Sequence, residues 1–183
     1  KISNGKIEAI VTTDVGPRII HFGFEGGKNI FCVVEDHAGK VGGDEWRIYG
    51  GTRLWHSPEA MPRSYFPDNQ KIDFEIVENG IVLKQPTETT TFLQKTIELK
   101  FHPTEAEAYV TYKIKNNGLF EVKFAVWALS VMAPGGVEVM PIPKVDTGLL
   151  PSYPLVMWPY TKLNDHRVFW GEDFIILKQD KNC

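Results

Sequence analysis

Cysteine is scarce in this chain, which has only Cys32 and Cys183. Two cysteines do not make a disulfide framework, and their spacing fits no metal site. Cys32 lies in the apolar run 30–34 and is predicted to be a buried core thiol. Cysteine usage therefore decides neither the redox compartment nor the localisation of the protein.

Long apolar runs and clustered basic charge are also absent. The longest apolar run covers residues 124–133, is interrupted by Ser130, and falls short of the roughly 20 residues that span a bilayer. The net charge is −3, and the Lys and Arg residues are scattered, unlike the basic footprint of a nucleic-acid-binding protein. We therefore expect neither a membrane nor a nucleic acid as a partner.

The sequence lacks the common motifs for nucleotide binding, nucleophilic catalysis and metal binding. There is no Gly-x-Gly-x-x-Gly, no Walker loop and no Gly-x-Ser-x-Gly elbow. The pair His56-x-x-Glu59 supplies too few ligands to close a metal site, and Pro58 spoils a helical spacing. Asp36, Asp44 and Glu45 could hold a hard cation, but a glycine-rich acidic segment is more often simply solvated. No metal and no other cofactor is expected.

What the chain does contain is a series of short runs in which apolar and polar residues alternate. A period of two predicts β-strands, and no window shows a sustained helical period. Asn79-Gly80 between two such runs is a strong hairpin signal. Strands are predicted at residues 6–13, 18–24, 29–34, 72–76, 81–83, 92–101, 108–115, 120–129, 155–158 and 174–178. The pattern indicates an all-β antiparallel sandwich or barrel, and the length suits a single domain, residues 1–183.

Two of these runs also predict which side chains are buried. In residues 92–101 the buried face is predicted to comprise Leu93, Ile97, Leu99 and Phe101, with Lys95 as an exception. In residues 120–129 the buried face is predicted to comprise Phe120, Val122, Phe124, Val126 and Ala128. Trp127 falls on the opposite, polar face of that strand. A large aromatic side chain there needs cover, from either a second layer of protein or a ligand.

The segment 49–69 concentrates charged and aromatic side chains. Its chemically active residues are Arg53, His56, Glu59, Arg63 and Asp68, interleaved with Trp55, Tyr65 and Phe66. Gly50-Gly51, Pro58, Pro62 and Pro67 disfavour a helix or a central strand, so the segment is predicted to be a loop. Such a loop either carries function or is a packed connection whose charges pair with one another.

This set of side chains suits a sugar, which offers apolar C–H faces and a ring of hydroxyls. Aromatic rings such as Trp55, Tyr65, Trp127 and Trp158 match the first, and Arg53, His56, Glu59 and Asp68 match the second. A histidine beside a carboxylate is also a plausible proton-transfer pair. The alternative is that the tryptophans belong to the core and the charges form surface pairs.

Several motifs resemble an uncharacterised bacterial protein family with a galactose-mutarotase-like fold. They are Val15-Gly-Pro-Arg18, Tyr49-Gly-Gly-Thr-Arg-Leu-Trp-His-Ser-Pro-Glu59, Tyr65-Phe-Pro-Asp-Asn69, the run from Trp127 to Gly136, and Met157-Trp-Pro-Tyr160. The resemblance covers essentially the whole chain. It implies an antiparallel β-supersandwich related to aldose 1-epimerases, which bind carbohydrate on a concave sheet face. The resemblance also implies that Arg53 is the counterpart of the arginine with which epimerases contact the sugar.

The chain departs from the epimerase pattern at the catalytic positions. Epimerases carry their acid in a His-x-Tyr-Phe run, which does not occur here; the corresponding strand reads Trp127-Ala-Leu-Ser130. By the same resemblance, we expect the region that would carry the base, a glutamate near the C-terminus, to be missing from this chain. We therefore expect the domain to lack its C-terminal strands and to associate through an incomplete sheet edge.

Two functional hypotheses follow, both with a sugar or oligosaccharide as the partner. One is an aldose epimerase or mutarotase-like isomerase, with His56, Glu59 and Asp68 in catalysis and Arg53, Trp55, Tyr65, Trp127 and Trp158 in substrate binding. The other is a non-catalytic carbohydrate-binding domain or a polysaccharide lyase accessory domain. The missing His-x-Tyr-Phe run favours binding, whereas the cluster of Arg, His, Glu and Asp favours a working enzyme.

Overall fold

A computed structural model describes residues 1–150 and 155–180 of the chain. Within these ranges the protein is all-β: it has antiparallel strands, two short 3₁₀ segments at Glu35–His37 and Arg63–Tyr65, and no α-helix. The prediction of an all-β antiparallel protein is confirmed. The chain divides into two compact units, Lys1–Ala133 and Pro134–Cys183. The expectation of one domain over residues 1–183 stays a prediction.

The first unit contains two antiparallel sheets. The strands of the first sheet are β1 (Ile2–Ser3), β2 (Ile7–Val11), β3 (Arg18–Phe24), β4 (Gly51–Ser57) and β9 (Ala125–Val131). Those of the second are β5 (Asp73–Val77), β6 (Gly80–Lys84), β7 (Leu93–Phe101) and β8 (Ala108–Asn116). The first sheet has the order β1-β2-β3-β4-β9 and the second has the order β5-β6-β7-β8.

The two sheets of the first unit pack face to face around one apolar core. Its central side chains are Ile7, Ala9, Ile19 and Leu54 from the first sheet and Ile81, Leu83, Ile97, Leu99 and Phe101 from the second. Each fully buried aliphatic side chain of this kind contributes about 1.5–3 kcal/mol. The predicted buried face of residues 92–101 is confirmed. Lys95 is buried on the same face, because its ammonium lies 2.5 Å from the equally buried carboxylate of Glu88.

The hairpin at Asn79-Gly80 is also confirmed. Strands β5 and β6 pair in antiparallel register, with Val77 opposite Gly80. Asn79 adopts a left-handed φ of 56°, which asparagine tolerates better than most residues. A Cβ on Gly80 would come within 2.1 Å of the Leu99 carbonyl oxygen, so this position requires glycine.

The prediction of a loop over residues 49–69 is wrong for its first half. Strand β4 lies in the middle of the first sheet, between β3 and β9, and six of its seven residues are buried. Gly50 and Gly51 have φ values of 101° and 66°, and they bring the chain into the strand instead of interrupting it. Pro58 follows the last residue of β4, where it costs no ladder hydrogen bond.

The strand predicted at residues 29–34 is not a continuous strand. Only two isolated bridges form there, Phe31 with Met132 and Val33 with Gly50. The ladder fails to propagate because the backbone partners change along the segment: the Cys32 amide donates to the Val131 carbonyl and the Val34 amide to the Tyr49 carbonyl. Cys32 is accordingly only partly buried, so its prediction as a core thiol is wrong. Cys183 lies outside the described residues.

The phase predicted for residues 120–129 is reversed. The strand begins only at Ala125, and Phe120 before it is 82% exposed. Within the strand Val126 is half exposed, whereas Trp127 and Leu129 are partly buried. β9 is an edge strand of the first sheet: on its outer face Trp127 packs on Trp55, whereas on its inner face Val126 stays half exposed.

The second unit contains one three-stranded antiparallel sheet with the order β10-β12-β11. Its strands are β10 (Val137–Pro141), β11 (Val168–Trp170) and β12 (Phe174–Lys178). The strand predicted at 174–178 is confirmed with its bounds. The one predicted at 155–158 is wrong: these residues join no sheet, and Pro159, which cannot donate to a ladder, follows at once.

Candidate functional site

The alternation of side chains along β4 decides which of its residues belong together. Leu54 points into the core between the sheets, so Arg53 and Trp55 lie on the outer face of the first sheet. His56 shares the inner face with Leu54. Arg53 and Trp55 are nevertheless each 6% exposed, because loop residues cover this outer face. The side chains gathered there, which we call the Arg53 cluster, are Arg18, Trp46, Arg53, Trp55, Tyr65, Asp68 and Trp127.

Asp68 joins the two arginines of the cluster. Arg18 stands directly opposite Arg53 in the β3–β4 pairing. Its Nη2 donates to both carboxylate oxygens of Asp68, at 2.6 and 2.8 Å, and its Nη1 donates to the Ile48 carbonyl at 3.2 Å. Arg53 Nη2 lies 3.6 Å from Asp68 Oδ2. Arg18 thus makes the close, charge-assisted contact with the carboxylate, and Arg53 the looser one.

The cluster keeps all three of these groups ionised. Burial alone would raise the pKa of the Asp68 carboxyl, but the charges of Arg53 and Arg18 and the hydrogen bond from Arg18 hold that pKa below its usual value. Burial lowers the pKa of Arg53 to about 10, with Asp68 opposing the shift and Arg18 adding to it. Two guanidinium groups therefore share one carboxylate at neutral pH, which leaves one positive charge in excess.

Aromatic rings enclose the guanidinium of Arg53. Its central carbon lies 4.9 Å from the ring centroid of Trp55 and 5.2 Å from that of Trp46, both within cation–π distance. Tyr65 packs edge-on against both tryptophans, with ring centroids 4.9 and 5.3 Å away. Trp127 packs edge-on against Trp55 at 5.5 Å, directly across the β4–β9 pairing.

Several polar atoms of the cluster are buried donors that make no hydrogen bond within residues 1–150 and 155–180. They are Arg18 Nε, Arg53 Nε and Nη1, Trp46 Nε1 and Trp55 Nε1. Buried polar groups in folded proteins are nearly always satisfied by protein, ordered water or a ligand. The cluster therefore offers N–H groups to an acceptor that does not come from the described part of this chain.

A cleft of about 160 Å³ borders the cluster at Asp68. Phe66 and Pro67 form part of its apolar wall. Its polar lining consists of Asp44, Asp68, Gln70, Gln85, Thr87 and Thr89. The cleft is smaller and more polar than a typical ligand pocket of about 300–1,000 Å³, so it is suited to a small polar group.

His56 lies apart from this arrangement, on the inner face of β4. Its side chain is fully buried, and neither ring nitrogen has a hydrogen-bond partner among the described residues. Its ring packs edge-on against Phe124, with centroids 6.2 Å apart. Burial lowers the pKa of His56, and the Lys95 charge lowers it further while Glu88 partly opposes the shift. A neutral imidazole in this position is a core residue.

The two remaining predicted site residues, Glu59 and Trp158, also lie outside the Arg53 cluster. Glu59 is exposed just beyond the end of β4 and accepts a hydrogen bond from the Tyr65 hydroxyl. Trp158 is about half exposed and belongs to the second unit. Of the residues that the sequence predicted, the first unit thus brings together Arg53, Trp55, Tyr65, Asp68 and Trp127, with Glu59 at the margin.

Two members of the cluster were not predicted from the sequence. Arg18 stands in the Val15-Gly-Pro-Arg18 motif, and the strand pairing that sets it opposite Arg53 was the missing information. Trp46 lies in an irregular segment between Gly43 and Tyr49, where no periodicity marks it. Its aromatic character beside Glu45 and Arg47 was the only available signal.

The described residues contain no group of three or more His, Cys, Asp or Glu side chains that could hold a metal ion. Nor do they include a helix with the length and apolar character needed to cross a membrane.

The comparisons with known proteins assign neither a family nor a function to this chain. No family model, curated protein or solved structure that was compared with this chain matches it.

Proposed function

We propose that this chain binds a carbohydrate at the Arg53 cluster and that its first unit is part of a galactose-mutarotase-like supersandwich. The observation that carries the proposal is the position of the Arg53 guanidinium, which lies within cation–π distance of the rings of both Trp46 and Trp55 and 3.6 Å from the Asp68 carboxylate. Flat rings, a fixed cation and an ionised carboxylate in one place match the apolar faces and hydroxyl groups of a sugar.

The geometry favours binding over proton transfer. Mutarotation needs an acid and a base that reach the same sugar ring. Asp68 is held ionised by two arginines and is a weak base, while His56 is neutral and lies on the other face of β4. Glu59 is engaged by the Tyr65 hydroxyl. A non-catalytic sugar-binding domain, or the accessory domain of a polysaccharide lyase, therefore accounts for this arrangement better than an aldose epimerase does.

Tryptophan fluorescence provides a direct test of sugar binding. Three of the five tryptophans belong to the cluster, so bound sugar is expected to change the emission of the protein. Galactose, glucose and their uronic acids should be titrated into wild-type protein and into Arg53→Met. A charged hydrogen bond contributes about 1.5–3 kcal/mol, so we expect Arg53→Met to weaken binding by about one to two orders of magnitude.

Lys84→Met is the matched control, since Lys84 is exposed at the end of β6 and its loss removes the same charge. Equal weakening by Arg53→Met and Lys84→Met would contradict the assignment of the site. Polarimetry on freshly dissolved α-galactose separates the two functions. We expect no acceleration over buffer, and an acceleration that Asp68→Asn abolishes would replace the binding proposal with an epimerase.

A further inference from the structure

We infer that the sugar bound at the Arg53 cluster is acidic and that its carboxylate is received by Arg53. The inference rests on the proposed function and narrows the substrate class from carbohydrates in general to uronic acids and their oligomers.

The first argument is the charge balance of the buried groups. Arg18 and Arg53 are 0% and 6% exposed and share the single carboxylate of Asp68. The other buried ion pair of this unit, Lys95 with Glu88, is balanced within itself at 2.5 Å. A buried charge without a partner is costly, and the close contacts of Arg18 already occupy both oxygens of Asp68. Arg53 is therefore the cation for which a second anion is missing.

The second argument is the kind of hydrogen-bonding atoms that the cluster offers. The buried atoms of Arg53, Trp46 and Trp55 without partners among the described residues are all N–H donors. A sugar hydroxyl carries a hydrogen that needs an acceptor of its own, whereas a carboxylate only accepts hydrogen bonds. The carboxylate also neutralises the excess positive charge of Arg18 and Arg53. Hydrogen bonds between a guanidinium and a carboxylate are about twice as strong as neutral ones. A carboxylate thus satisfies both requirements of the cluster, and a neutral sugar satisfies only one.

The third argument concerns access to Arg53. Arg18 and Arg53 lie on strands β3 and β4, which hold their position through the sheet. The rings that lie against Arg53 come from Trp46, which is outside the sheets and partly exposed, and from Trp55, which is on β4. The cleft borders the cluster at Asp68, so a shift of loop side chains such as that of Trp46 would open a path from the cleft to Arg53.

Calorimetric titration of the wild-type protein with matched sugar pairs tests the inference. The pairs are D-galacturonate with D-galactose and D-glucuronate with D-glucose, at low ionic strength, with acetate as a carboxylate without a sugar. We expect at least one uronate to bind at least tenfold more tightly than its neutral partner and than acetate. Arg53→Met should abolish this preference, Arg53→Lys should retain part of it, and Lys84→Met should leave it unchanged.

The outcomes separate the inference from the proposed function. Equal affinity for a uronate and its neutral partner overturns the inference and leaves carbohydrate binding in place. Binding of acetate as tight as that of the uronates overturns the acidic-sugar assignment, because the sugar ring then contributes nothing. Binding of none of the four sugars overturns both. The comparison within each pair uses the wild-type protein, so it does not depend on the folding of any variant.

Discussion

Arg18 and Arg53 stand side by side on neighbouring strands, yet their removal should have very different effects on stability. Arg18 Nη2 donates to both oxygens of Asp68, and its Nη1 donates to a backbone carbonyl. Arg18→Met removes all of these bonds and leaves the buried Asp68 with only the 3.6 Å contact to Arg53. Breaking a buried ion pair in this way costs about 3–5 kcal/mol, a large share of the 5–15 kcal/mol typical of a folded domain.

Arg53→Met leaves the Arg18–Asp68 pair intact and removes the uncompensated charge. Methionine also retains an unbranched apolar side chain beside the rings of Trp46 and Trp55. The substitution removes two cation–π contacts, each of which contributes about 0.5–2 kcal/mol to stability. It also removes the free-energy cost of burying the Arg53 charge. We therefore expect a net loss of about 1 kcal/mol or less, in clear contrast to Arg18→Met.

Urea unfolding followed by tryptophan fluorescence measures the difference. With a slope of about 2 kcal/mol per molar urea, Arg18→Met should lower the midpoint by about 1.5–2.5 M and Arg53→Met by about 0.5 M or less. The exposed substitution Lys84→Met serves as the reference for the loss of one positive charge. Equal shifts for the two arginines would refute the argument, because they would mean that Arg53 is as structural as Arg18 and has no spare charge to offer a ligand.

The remaining predictions concern buried groups of the first unit. The pKa of His56 is lowered in the folded protein, so the folded state binds fewer protons than the unfolded one. Stability should therefore be constant above about pH 6.5 and fall below it, and His56→Leu should flatten a urea series between pH 7.5 and 5. Lys95→Met should cost about 3–5 kcal/mol by removing the cation that pairs with the buried Glu88 carboxylate, which then keeps only its hydrogen bonds from Gln85 and Thr91, and the double change with Glu88→Gln should recover most of that loss in the same assay. Gly51→Ala should lower the melting temperature sharply, because a Cβ there would come within 2.2 Å of the Ile19 carbonyl oxygen.

Strands that lie over the core were predicted well from the sequence because one physical constraint acts on them. In β7 every second side chain packs into the same core, so the alternation of Leu93, Ile97, Leu99 and Phe101 in the sequence matches their burial. Lys95 interrupts the apolar pattern, but the strand continues through this position. Its partner Glu88 comes from the preceding loop, and no local pattern identifies that pairing.

Segments whose cover comes from elsewhere in the chain were predicted poorly. The burial of β4 depends on β3 and β9 on either side and on loop residues over its outer face, so its charged composition looked like that of a loop. In β9 the burial pattern was reversed, because Trp127 is covered by Trp55 from the neighbouring strand, while Val126, opposite His56 on the inner face, stays half exposed at the edge of the sheet. The type of a residue indicates whether its side chain favours burial, but the packing of the neighbouring strand determines whether that side chain is buried.

The same reasoning explains why most, but not all, of the candidate site was found from the sequence. Arg53, Trp55, Asp68 and Tyr65 were grouped because they are close along the chain, and so was His56, three residues after Arg53. An odd separation along a strand turns two side chains to opposite faces. His56 therefore faces the core beside Phe124, whereas Arg53 faces Trp46 and Asp68. Had the segment been the loop that its prolines and glycines suggested, both side chains could have met at one site. Because it is a strand, His56 and the Asp68 carboxylate lie on opposite faces of the sheet and cannot act as a proton-transfer pair. The outer face instead presents Arg53, a fixed cation that can bind an acceptor.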